Sequence, residues 1–126
     1  MLPIHAPELT TLAAEFPEVP VIIDHLALYH RGTSAQLEQV IKMAKLPRVY
    51  MKYSLVTPTS KGSAKPVVRR FYDAFGPDRI IWGSLGANME QFESNVAIFD
   101  EMFDFAPESE RAKIRGLNAV KLFNFV

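Results

Sequence analysis

His25, Lys52 and Ser84 are the side chains in this sequence best placed to do chemistry, because each lies at or near the end of a largely apolar run. His25 follows Asp24 at the close of Val19-Pro20-Val21-Ile22-Ile23. An imidazole there could bind a metal, polarise a carbonyl or move a proton near neutral pH. The plainer alternative is a histidine satisfied by neighbouring backbone or by Asp24. Lys52 interrupts the apolar run Val49 to Tyr53. Pointing inward, it needs a partner or a cavity mouth; pointing outward, its stem would cover a helix. Ser54 has the same strand parity and shares its face. Asn88 and Glu90 offer oxygens, although capping a helix is the simpler role for Asn88. His30, between Tyr29 and Arg31, reads as a solvated loop residue.

The elements that must position these residues follow from periodicity. Leu9, Leu12, Ala13 and Phe16 recur at helical spacing after Pro7, and Pro17 stops that helix. Residues 19–25 read as a buried strand, with Pro20 near its start. Thr33 and Gln36 form a capping-box pattern ahead of the apolar face Leu37, Val40, Ile41 and Ala44, ended by Pro47. A second strand is expected over 48–54. A polar loop from Thr57 to Lys65 then leads to a helix from Pro66, with Val67, Phe71, Ala74 and Phe75 inward. Gly76-Pro77 breaks it before a third strand over 78–84. Phe92, Val96, Phe99 and Phe103 step by three or four and are expected in the core. Pro107 opens a further helix, Gly116 closes it, and Asn118 to Phe123 form a last turn or two.

Alternation of strand and helix implies parallel strands joined by right-handed crossovers. The pattern alone leaves an open doubly wound sheet and a barrel as alternatives. Three strands do not close a barrel, which usually takes about 250 residues. The polar residues nevertheless gather where the strands end, where such folds place their sites.

Composition bounds the rest. The chain has 126 residues, 48% hydrophobic and 22% charged, enough apolar material for one compact domain spanning residues 1–126. Fourteen basic and fourteen acidic residues cancel, so nothing draws the chain to nucleic acid or an anionic membrane, and little opposes self-association. Without cysteine, disulfides and thiolate chemistry are excluded. No signal peptide or membrane-length apolar run is visible, and the expectation is a soluble, cytoplasmic protein.

Four segments bring a family into view. Phe16 to His25, Val49 to Ser54, Phe75 to Ser84 and Asn118 to Phe123 resemble, in order and separation, segments of the amidohydrolase-related family, which includes lactonases and decarboxylases. The resemblance implies an α/β fold that is a partial (β/α)8 TIM barrel. These residues would supply its last three to four β/α units, with Met1 to His5 ending the fifth strand. It also implies a small-molecule carbonyl substrate and, in full-length relatives, a divalent metal (zinc or manganese) that activates water. By correspondence His25, Lys52 and Ser84 would be catalytic, and His5 and His25 would ligate metal. Two departures stand against this. Nothing corresponds to the family's first-strand His-x-His pair, and the Asp that usually follows Gly-Ser is replaced by Leu85. The isolated chain is therefore expected to hold no metal and to be inactive. The competing expectation is a non-catalytic half-barrel: a degenerate paralogue, an assembly module or a truncated gene product. Either way, the open edges predict self-association or a missing N-terminal half as partner.

Overall fold

The computed structural model describes residues 1–85 and 88–124. Gly86 and Ala87, part of the divergent stretch after Ser84, lie outside the described residues. Three parallel strands form one sheet, β1 (Val21–Ile23), β2 (Val49–Tyr53) and β3 (Ile80–Trp82), in the order β1-β2-β3. Spatial order thus equals chain order. The register pairs Ile22 with Tyr50, Met51 with Ile80 and Lys52 with Ile81.

Helices α1 (Ala6–Glu15), α2 (Ser34–Lys42), α3 (Lys61–Phe75) and α4 (Met89–Met102) alternate with the strands. The short α5 (Glu108–Ala112) and α6 (Asn118–Phe123) close the described chain. Local chemistry sets several boundaries. The Thr33 hydroxyl accepts the Gln36 N–H while Gln36 Oε1 accepts the Thr33 N–H, a reciprocal cap for α2. Asn88 Oδ1 accepts the Gln91 N–H and caps α4.

The core lies between the sheet and its helices. Ile23, Val49, Met51, Tyr53 and Ile80 are buried against Val40, Met43, Val68, Phe71, Phe99 and Phe103. Strand parity decides this. Val49, Met51 and Tyr53 turn to the helices, and Tyr50 and Lys52 turn to the other, more open face.

Several expectations are corrected. The strands are shorter than 19–25, 48–54 and 78–84. Ladder bonds continue one residue beyond the assigned ends, from Met51 N to Arg79 O and from Gly83 N to Tyr53 O. The α3 helix begins at Lys61, not Pro66, because Thr57 and Ser60 exchange side-chain and backbone hydrogen bonds just ahead of it. Leu12 and Phe16 of the first apolar stripe are exposed, and Ala6 and Ala13 are the buried residues of α1. Phe92 is also exposed, although its ring packs 5.9 Å from Trp82. Gly116 does not close a helix; it lies in a wide π-type turn, Lys113–Leu117, running from α5 into α6. Met1 to His5 is not a strand. Pro3–His5 is a 3-10 turn that leads into α1.

Candidate active site

The strand ends carry the chemistry, and each leads the chain through an uncommon backbone conformation. After Asp24, the four residues His25 to Leu28 all have positive φ, between 49° and 58°. Leu55 follows β2 with φ 60°, and Leu85 follows β3 with φ 52°. None is glycine or asparagine, so each pays a steric cost of about 1–2 kcal/mol. Such residues concentrate at functional sites.

At this edge two polar pairs form. The Lys52 ammonium lies 3.1 Å from Asp24 Oδ1. Lys52 is 28% exposed and Asp24 52%, so the lysine is the more enclosed partner. Its stem crosses Gly83, where an added Cβ would stand 2.6 Å from Lys52 Cε. Glycine at that position is what lets the lysine lie across the sheet. Ile22, Asp24, Lys52, Ile81 and Trp82 then form, with Ala119 and Phe123 of α6, a cavity of about 390 Å³.

The second pair joins β1 to β2 one residue further on. His25 Nδ1 is 2.7 Å from Ser54 Oγ, and Ser54 is only 3% exposed. His25 and Ser54 line a pocket of about 220 Å³ under the left-handed turn, with Leu26, Leu28, Tyr29 and Val56. Ser54 also borders a larger cleft of about 540 Å³ that contains Tyr53, Leu55, Ser84 and Leu85. Burial, with the Glu101 carboxylate nearby, pushes the Tyr53 phenol far above the usual tyrosine range, so it remains neutral.

His25, Lys52 and Ser84 all lie at the C-terminal edge, but in different pockets. Lys52 shares its pocket with Asp24, His25 with Ser54, and Ser84 lines the larger cleft. The Ser84 carbonyl accepts the Asn95 side-chain N–H, which ties β3 to α4. His5 is exposed, precedes α1 without a side-chain capping bond to it, and its Nδ1 accepts the Leu2 N–H at 3.4 Å. It has no strand end to stand on. His30 is exposed against the edge of the Tyr29 ring. Sequence reasoning missed the pairing itself: Asp24 serves Lys52 and not His25, and Ser54 is the histidine's partner. Shared parity did not signal it: that rule puts Ser54 beside Lys52, whereas the two line different pockets.

These residues do not fit a metal centre. Among the described residues no three His, Cys, Asp or Glu side chains cluster. His25 has Nδ1 engaged by Ser54, Asp24 is neutralised by Lys52, and the position after Ser84 is a leucine.

Comparison with known proteins gives this geometry its context. The model of the amidohydrolase family matches residues 1–125. The chain belongs to that family. Among characterised relatives, L-fucono-1,5-lactonase of Burkholderia ambifaria is 28% identical, aligned over 96% of this chain and 47% of its own length. An amidohydrolase structure from Burkholderia multivorans superposes with TM-score 0.79 at 18% identity, over 98% of this chain and 51% of that one. A second amidohydrolase structure from Burkholderia multivorans, with TM-score 0.79 at 18% identity over 98% of this chain and 50% of that one, contains bound zinc. Amidohydrolase 2 from Bifidobacterium longum subsp. infantis gives TM-score 0.68 at 26% identity, over 96% of this chain and 46% of that one. This amidohydrolase-family chain therefore spans about half the length of the relatives it matches.

Proposed function

We propose that these residues form the last three to four β/α units of an amidohydrolase-type (β/α)8 barrel, as a single partial domain. In this reading they contribute the His25, Lys52 and Ser84 edge to a site acting on a small-molecule carbonyl compound, a lactone or amide. The strand ends of the remaining units come from outside the 126 residues. The observation that carries it is the pair of linked contacts at that edge, Lys52 to Asp24 over Gly83 and His25 to Ser54. Both direct hydrogen-bond donors or a proton carrier to the place where parallel α/β folds put their chemistry. Lys52 would stabilise charge developing on a substrate oxygen, and His25, in the neighbouring pocket, would offer a hydrogen bond or a proton. The likeness to a lactonase makes a sugar lactone the natural first probe. Metal chemistry would need ligands that this half does not assemble.

A second reading, a non-catalytic half-barrel, is favoured by one observation. Leu85, half-exposed, stands where the family usually has an aspartate.

The test is lactone hydrolysis with metal analysis. The purified chain is expected to hold no stoichiometric zinc or manganese and to leave L-fucono-1,5-lactone at its background rate. Leu85→Asp is expected not to rescue it, although φ 52° there suits aspartate better than leucine. Fusing the N-terminal half of the Burkholderia ambifaria lactonase ahead of Met1 should restore turnover that Lys52→Met abolishes. A folded fusion without turnover would favour the non-catalytic reading, and turnover by the unmodified chain would sink both.

A further inference from the structure

The contact between His25 and Ser54 says more about the histidine than its position. Ser54 is 3% exposed, and its hydroxyl has a single hydrogen-bond partner among the described residues, His25 Nδ1 at 2.7 Å. The proton in that contact can sit on either atom. Were Nδ1–H the donor, Ser54 would accept, and its own O–H would be buried with no acceptor in the protein. Leaving a buried donor unmade is costly. Were Ser54 the donor, its proton would be used, leaving only spare lone pairs, which folded proteins tolerate more readily than orphaned donors. The second arrangement is favoured, and it makes Nδ1 the acceptor. A neutral imidazole that accepts at one nitrogen carries its hydrogen on the other.

We infer that Ser54 is a positioning residue that holds neutral His25 as its Nε2–H tautomer, so that His25 offers a hydrogen bond to a ligand oxygen and is not a metal ligand through Nε2. A metal at Nε2 would need that nitrogen's lone pair. The proton would have to move to Nδ1, turning Ser54 into the acceptor and stranding its hydroxyl hydrogen. The ligand class that follows is an oxygen acceptor, a carbonyl or an oxyanion, met by His25 Nε2–H with the Lys52 ammonium at the same strand-end edge. That ligand assignment rests on the proposed carbonyl site, whereas the tautomer stands on the contact alone.

Histidine-selective nitrogen-15 NMR on the intact chain reads the tautomer directly. Only three histidines are present, so His25→Gln assigns the signal. At about pH 8, where an ordinary imidazole is neutral, His25 is expected to show a bare Nδ1 and a protonated Nε2. Ser54→Ala should reduce that preference roughly fivefold, the worth of one ordinary hydrogen bond, and Ser54→Thr should restore it. Zinc at one equivalent should leave the His25 pattern unchanged. A protonated Nδ1 in the unmodified chain, an unchanged pattern in folded Ser54→Ala, or zinc replacing the Nε2 proton would each overturn the inference. If Ser54→Ala fails to fold, the pattern of the unmodified chain and the zinc titration decide. Metal-free lactone turnover by the chain would sink the proposed function and leave the tautomer standing. A reversed tautomer would do the opposite.

Discussion

Lys52 and Gly83 show how a single missing methyl group can place a charge. The lysine stem passes where a Cβ on residue 83 would stand, and its ammonium ends 3.1 Å from Asp24. Partly exposed ion pairs contribute little to folding, typically about 0.2–1 kcal/mol. The pair is therefore better understood as a device for orientation than for stability. Gly83→Ala should cost under about 1 kcal/mol, because the flexible lysine gives way. It should nonetheless erase the coupling between Lys52→Met and Asp24→Asn in a double-mutant cycle followed by urea unfolding. Coupling that survives in the Gly83→Ala background would show that the close approach does not set the lysine's position. The lysine stood out in the sequence and the glycine did not; their contact joins residues on neighbouring strands, and no spacing rule reports it.

At the scale of elements, Arg79 ties the opposite, N-terminal end of the sheet together. Its guanidinium donates to the carbonyls of Ala44 and Leu46 at 2.8 Å, of Val49 at 3.2 Å and of Phe75 at 3.2 Å. One side chain thus joins the turn after α2, the start of β2, the end of α3 and the start of β3, with the Phe75 ring 5.5 Å beneath it. A planar fork with five donors suits several carbonyls at once, and an ammonium does not. Arg79→Lys is expected to lose about 2–3 kcal/mol of unfolding free energy and Arg79→Ala at least as much. Chemical denaturation measures both, and a loss below about 1 kcal/mol for the alanine would show that water replaces these bonds freely. Asn118 does related work at β3, donating from its side-chain amide to the carbonyls of Pro77 and Ile80. Both residues fall within segments that resemble the family, so that part of the likeness lies in bonds that hold the sheet rather than in catalysis.

The whole molecule leaves two flanks open. The outer edges of β1 and β3 have no strand partner among the described residues. Leu12, Phe16 and Val19 are exposed towards the start of the chain, and Leu117, Val120 and Phe123 near its end. Alternation along the strands would allow Val21, Ile23 and Ile81 to be the apolar residues of the open sheet face, and the structure does not expose them there. Val21 and Ile23 share the parity of their partners Val49 and Met51 and turn to the helices, and Ile81 is buried although it pairs with Lys52. The open-face residues are Ile22, Tyr50 and Lys52. Unpaired edges beside apolar helix faces favour association, and a net charge of zero does little to oppose it. The isolated chain is expected to self-associate or to bind a missing half. Size-exclusion chromatography with light scattering over a wide dilution series checks this. A monomer that persists and unfolds cooperatively would refute it.

What was legible in the sequence was local or periodic. The Thr33–Gln36 box, the Asn88 cap and the stops at Pro17 and Pro47 act within a few residues, and the order of three strands among helices follows from apolar periodicity. Parallel pairing in chain order then follows from short right-handed crossovers, β1-β2-β3. The site was legible only as an edge: His25, Lys52 and Ser84 end successive strands, and any parallel sheet aligns such ends. Partnership was decided by tertiary structure. Asp24 meets Lys52 and His25 meets Ser54 because the chain turns left-handed at His25 through Leu28, in a stretch with no glycine or asparagine to announce it. Hydrogen bonds between residues 29 apart depend on strand register and on which side chains are denied water, and both exist only once the sheet and its helices have packed.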